Sequence, residues 1–249
     1  MMGEGAVADA VERALALPSL KVGLHLTLVE GTPVSPPETI PDLVGADGRF
    51  PSDMVAAGFR FFFLPRVRRQ LEREIRAQFA AFAATGLPLD HVNTHKHIHL
   101  HPTVAGMIIR IGREFGLRAI RLPSEPARPV AAAMGLAMSG GLGATALRLW
   151  TRQLAHTIRR AGMVANDQVF GLAWSGAVTE ERLLALIPHL PDGVSEIYGH
   201  PATEMTPSIL RTMPDYRHPE ELAGLLSPRV RAALDAHGVE RTSFSELAA

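Results

Sequence analysis

Helical and strand patterns alternate along the chain. Residues 5–17 repeat apolar positions at helical spacing, with Val7, Val11, Ala14 and Leu15 on one face. Lys21 to Val29 (KVGLHLTLV) reads as a strand, and the GTPVSPP after it can continue neither element. The clearest helix spans 65–85. Pro65 suits a first helical turn, Val67, Leu71, Ile75, Phe79 and Phe82 trace one apolar stripe, and Gly86 ends it. A strand at Leu87–Thr94 follows, then a helix from Pro102 to Phe115 closed by Gly116 and a strand at Leu117–Leu122. Residues 124–165 form an Ala/Gly/Met-rich insertion with a helix at 144–161. Strands are expected at Val169–Ala173 and Val194–Tyr198 with a helix at 179–187 between them, then a helix at 219–236 and a last strand at Val239–Phe244. Such alternation implies an α/β fold with a mostly parallel sheet, open or closed into a barrel. Chemistry then belongs at the C-terminal ends of the strands.

Composition narrows the function classes. The 249 residues are 47% apolar and 20% charged, enough for one sizeable core, and no linker or repeat divides them, so a single domain over 1–249 is expected. Lys plus Arg (25) balance Asp plus Glu (25), which gives no electrostatic bias toward nucleic acid. Cysteine is absent, excluding disulfides, thiolate zinc sites and cysteine nucleophiles, so any metal must be held by nitrogen and oxygen. MMGEGAVADAVERALALPSL lacks the features of a secretory leader, and the cytoplasm is the expected compartment. The uncharged stretch Pro129–Leu147 is diluted by glycine and is read as packed helices rather than a span. Its rival reading is a lid making peripheral contact with a membrane face or lipid. Burial is expected for Phe61, Phe62 and Phe63.

The eleven histidines are the one excess, and five fall between positions 91 and 101, in DHVNTHKHIHLHP. Strand alternation puts His91, Asn93 and His95 on one face. Neutral imidazoles ligate divalent ions, and four histidines at 95, 97, 99 and 101 exceed what a capping loop requires. One or two need be ligands; the others support them or face solvent. His25, between Leu24 and Leu26, is either a ligand or a core histidine with a satisfied hydrogen bond. His200, after a strand and before Pro201, is a proton donor or a turn residue. His156, His189, His218 and His237 are read as surface residues.

GLHLTLVEGTPV, LDHVNTHKHIHLHP and GHPA, in that order, resemble the motifs of the YdjC-like carbohydrate deacetylases, and the resemblance covers nearly the whole chain. It implies a distorted (β/α) barrel of the glycoside hydrolase/deacetylase type and one divalent metal ion, magnesium or zinc. The implied reaction is hydrolysis of an N-acetyl group from an amino sugar. DGRF, FFFLPRVRRQLEREIRAQF and GLRAIRLPSEP are similar to the hopanoid-biosynthesis branch, whose implied substrate is an N-acetylglucosaminyl hopanoid lipid. Within that pattern His25 and His95 match metal ligands and His200 the general acid. Asn93, His97, His99 and Arg121 are candidates for substrate contact or for supporting the ligands.

Two departures stand out. Asn93 and Thr94 replace the Asp and Ser common in the family, and the Asp-Asp pair that supplies the third ligand and the base occurs nowhere in the 249 residues. Residues 1–17 look like the second helix of such a barrel. The expectation is therefore a missing first strand within a missing βαβ unit on the order of forty residues. Weak or absent activity of the chain as written follows. The rivals are a non-catalytic sugar- or lipid-binding barrel and another metal-dependent amidohydrolase.

Overall fold

The computed structural model describes residues 1–135 and 142–249, with the side chains of 142–148 and 208 outside the description. The Gly-rich centre of the predicted insertion lies outside the described residues. In chain order the elements are α1 (Val7–Leu15), β1 (Val22–Leu26), α2 (Met54–Phe63), α3 (Pro65–Ala83), β2 (Leu89–Thr94), α4 (Pro102–Glu114), α5 (Ala127–Met134), α6 (Leu142–Arg160), β3 (Gln168–Phe170), α7 (Glu180–Leu186), β4 (Ser195–Ile197), α8 (Pro207–Thr212), α9 (His218–Leu226), α10 (Pro228–Ala236) and α11 (Phe244–Leu247). They gather into two compact units, one of residues 1–121, 149–165 and 243–249, the other of 122–148 and 166–242.

In the first unit β1 and β2 pair in parallel, with His25 opposite Asn93 and Leu26 opposite Thr94. Parallel bridges at Val92–Ile120 and Ala119–Val164 extend the array, so the strand expected at 117–122 is reduced to a bridge. Leu24, Leu26, Leu71, Ile75, Phe79, Val92, Ile108 and Ile120 are fully buried. The stripe predicted on α3 thus packs on the strands. Beside it, at four-residue spacing, runs a second stripe of buried polar residues, Gln70, Glu74 and Gln78. The Glu74 carboxylate accepts the backbone N–H groups of Val34 and Ser35 at 2.9 Å, and Gln78 brackets Thr27 through both its backbone groups. These bonds satisfy a segment without regular structure that would otherwise leave polar backbone buried.

Sequence patterning passed over α2. Asp53 caps it by accepting from Val55 and Ala56, and Leu64 leaves the helix in an extended conformation because Pro65 disfavours helix at the preceding residue. Only Phe61 of the phenylalanine run is buried. Phe62 and Phe63 are at least half exposed, against the expectation of burial, because the run winds around a helix that packs on one side. Leu15 of α1 is likewise exposed, and Ala14 carries that helix's burial.

In the second unit β3 and β4 pair in parallel, Gln168 opposite Ser195 and Phe170 opposite Ile197. Phe170, Trp174, Leu183, Leu186, Ile187 and Val230 form its core. The helix expected over 219–236 is two helices. Ser227 is extended before Pro228 and caps α10 through its hydroxyl, which accepts from Arg229 and Val230. The strand expected at Val239–Phe244 is not formed. Ser243 instead makes a capping box with Glu246, which starts the short α11 in the first unit. The described residues thus form a mixed α/β fold with two small parallel sheets.

Candidate active site

The parallel register sets His25 beside Asn93, and Nδ1 of His25 lies 2.5 Å from Oδ1 of Asn93. An amide oxygen only accepts, so the ring donates from Nδ1 and keeps a lone pair on Nε2. Burial lowers the His25 pKa to about 3; the Asn93 hydrogen bond opposes this, and the nearby His95 and Arg121 add to it. The ring is therefore neutral near pH 7, the form that ligates metals or accepts protons.

His95 is the first residue beyond β2, and its ring meets that of His25 edge to face at 5.7 Å between centroids. Burial lowers its pKa also, opposed by Glu30, whose carboxylate is 3.7 Å from His95 Nε2. Glu30 also pairs with Lys96 at 2.5 Å. Glu30, Lys96 and His97 all have left-handed backbone, with φ of 51°, 50° and 53°. Three such non-glycine residues around one ring mark a strained turn, at a cost of about 1–3 kcal/mol each that its surroundings must offset.

His99 supplies part of that offset. It is buried, with Nδ1 2.5 Å from Thr94 Oγ1 and Nε2 2.9 Å from the Arg121 carbonyl. The carbonyl fixes the proton on Nε2, so Nδ1 accepts from the threonine hydroxyl. With both nitrogens used, His99 clamps the turn and has no lone pair for a ligand. His101 packs among the rings of Phe61, Phe62 and Trp150 at 6.0–6.4 Å. His97 lies 6.2 Å from the His99 ring. Arg121 is buried, and its N–H donates to the Val92 carbonyl.

Asp90 and Gly23 were not singled out in the sequence, and His91 only as sharing a face with Asn93 and His95. Asn93 Nδ2 donates to His91 Nε2 at 3.1 Å, and His91 Nδ1 donates to Asp90 Oδ2 at 2.8 Å. Gly23 makes room for this, because a Cβ there would come within 2.5 Å of the His91 ring. Burial works against ionisation of Asp90, but the hydrogen bonds from His91 and Ser245 outweigh it and hold the carboxyl below its usual range.

His200 belongs to the second unit. Its N–H donates to the buried Glu221 carboxylate, and its carbonyl accepts from Nδ1 of His218. His218 is buried, not the surface residue expected, because it anchors this turn; His156, His189 and His237 are exposed as expected. Gly199 leaves this carboxylate its place, since a Cβ would lie 2.9 Å from Glu221 Oε2 and push it aside. Tyr198 and Tyr216 flank the His200 ring at 5.8 and 5.1 Å.

Among the described residues no three His, Asp or Glu side chains converge so as to hold a metal ion. His25 and His95 offer two neutral donors where catalytic zinc sites use three protein ligands, so the set by itself does not fit a resident ion.

Parallel strands delivering imidazoles at their C-terminal ends define an α/β protein with its polar cluster where such folds carry their chemistry. The chain belongs to the YdjC-like protein family, whose model matches residues 1–236. A carbohydrate deacetylase of Vibrio vulnificus is 30% identical over 249 residues, covering 99% of this chain and 83% of that one. One from Geobacillus stearothermophilus is 27% identical, covering 92% and 77%. A third, from Brevibacillus brevis, is 36% identical over 106 residues, only 43% of this chain and 40% of that one. In three dimensions the chain is similar to a protein of Enterococcus faecalis V583 whose name assigns it provisionally to cellobiose-phosphate cleavage. That likeness has a TM-score of 0.73 at 21% identity, covers 100% of this chain and 86% of the other, and is one of fold.

Proposed function

We propose that the chain is a carbohydrate N-deacetylase, a hydrolase that cleaves the acetamide of an acetylated amino sugar. The observation that carries this reading is the meeting of His25 and His95 at the end of β1 and β2, in a chain whose near full-length relatives are named carbohydrate deacetylases. In this reading His25, held by Asn93, and His95, held by Glu30, present neutral nitrogens to one face of the site. They would be two of the ligands for one divalent ion, magnesium or zinc, whose further donor this pair does not supply; such an ion would activate water and polarise the acetyl carbonyl. His200 would carry the proton to the leaving amine. Membership of a distorted (β/α) barrel is part of the proposal, supported by the parallel bridges that widen the first sheet.

The substrate proposed first is an N-acetylglucosaminyl hopanoid lipid, on the sequence resemblance, with an N-acetylglucosamine disaccharide as the soluble comparison. Leu149 and Trp150, both about half exposed on α6, suit the proposed contact with a lipid face. No helix among the described residues is long and apolar enough to cross a membrane.

Acetate release from both substrates, with zinc or magnesium added, tests the proposal. Slow release that is abolished by His25→Ala and by His95→Ala is expected; no release, or release indifferent to both substitutions, overturns it. The incomplete donor set favours one alternative, a non-catalytic sugar binder. Saturable sugar binding without acetate release would identify that case.

A further inference from the structure

Asp90, His91, Asn93 and His25 form one line of hydrogen bonds whose direction is fixed from one end. A carboxylate only accepts, so His91 donates to Asp90 from Nδ1, and with that one ring proton it accepts on Nε2. Only the amide nitrogen of Asn93 can supply that proton, so its oxygen faces His25. His25 therefore donates from Nδ1. Reversing the amide would place two donors or two acceptors against each other at some link. The far end is itself clamped. Ser245 donates its backbone N–H to the other Asp90 oxygen at 2.9 Å, and Phe244 covers the His91 ring at 4.5 Å between centroids. Both residues lie beyond the stretch 1–236 matched by the family.

We propose that Asp90 is a positioning residue that sets the tautomer of His25 from three hydrogen bonds away. The line Asp90–His91–Asn93 holds the proton on Nδ1 and leaves Nε2 as the lone pair offered to the site. A ring nitrogen that carries a proton cannot ligate, so the orientation of a distant carboxylate decides whether His25 can act at all. Its bearing on catalysis rests on the ligand role proposed above for His25; the tautomer does not.

Histidine ring nitrogens give pyrrole-like ¹⁵N shifts when protonated and pyridine-like shifts when not, so the tautomer is read directly by NMR on the intact chain at pH 8. His25 is assigned by the signal lost in His25→Gln. The expected wild-type spectrum has a pyrrole-like Nδ1 and a pyridine-like Nε2. Asp90→Asn keeps the shape but can donate, which frees the line to reverse, and the Nδ1-protonated form of His25 should fall from the major to a minor species. Asn93→Asp puts an acceptor directly on His25 whatever residue 90 does, so the double variant Asp90→Asn/Asn93→Asp should restore it.

A wild-type ring protonated on Nε2 would overturn the proposal. So would an unchanged tautomer in folded Asp90→Asn, or a double variant that fails to recover. Zinc titration of the same proteins separates the two readings. A tautomer that switches and recovers while zinc uptake stays constant upholds the line and refutes the ligand role of His25.

Discussion

Replacing His99 by leucine removes the ring that holds the strained turn at the end of β2. It removes the acceptor of the Thr94 hydroxyl proton and the ring donor to the Arg121 carbonyl, both in buried residues, and leaves Thr94 Oγ1 only the backbone N–H of residue 99. A buried polar group without a partner costs about 1–3 kcal/mol, so the variant should lose about 3 kcal/mol at pH 8. The deficit should also depend on pH. Burial lowers the folded pKa of His99 to about 3, opposed by the bond to the Arg121 carbonyl and aided by the charges of His97 and Arg121. The unfolded value is about 6.5. With the folded value the lower one, the unfolded chain takes up the proton first. The stability His99 contributes is then fully present above pH 6.5 and is lost as pH falls toward 3. By pH 5, about one and a half pH units below the unfolded value, the wild type has lost about 2 kcal/mol through this residue. His99→Leu has no such proton to take up, so its deficit should shrink from about 3 kcal/mol at pH 8 to about 1 kcal/mol at pH 5. Urea unfolding of both proteins at pH 8, 6.5 and 5, followed by far-ultraviolet circular dichroism, measures the two gaps. A deficit that stays constant or widens in acid would refute the reading of His99 as a buried neutral clamp.

Glu74→Ala strips the acceptor from Val34, Ser35 and Gln78 and should cost about 3 kcal/mol. Hydrogen exchange should locate the opening at the amides of residues 34 and 35; protection unchanged there would exclude the assigned role. Gly199→Ala brings a methyl against Glu221 and should lower stability by about 1–3 kcal/mol in thermal melts, whereas an unchanged melt would show that the turn has room. Gly23→Ala drives a methyl into the His91 ring, and the ¹⁵N signals of His91 and His25 should shift together while those of His99 stay fixed. A shift confined to His91 would break the link between the two rings.

The histidine run shows where the chain pattern stops being readable. Alternation along β2 correctly groups His91 and Asn93, because pleating is a local rule that holds while the strand lasts. It fails at Lys96, where two left-handed residues break the period, so spacing cannot say which of His97, His99 and His101 faces the site. Two misses had signals in plain view: the Ser243–Glu246 capping box marked a helix start where alternation suggested a strand, and Pro228 marked the break within 219–236. The polar stripe of α3 had a four-residue period too. On sequence alone such a stripe is equally a solvated face, and only the loop that covers it makes Glu74 a core residue.

The sequence by itself determined the α3 stripe, the strand that carries His25 and the one that ends just before His95, the lack of thiol ligands and the family motifs. These are short-range or compositional properties, decided by periodicity and residue chemistry. Tertiary structure alone decided that His25 and Asn93, sixty-eight positions apart, are hydrogen-bonded neighbours, and that His99 is consumed by its own turn. It also brought the C-terminal Phe244 and Ser245 against His91 and Asp90. Which nitrogen of an imidazole is free depends on what each of its neighbours can donate or accept, and those neighbours are fixed only when the strands pair.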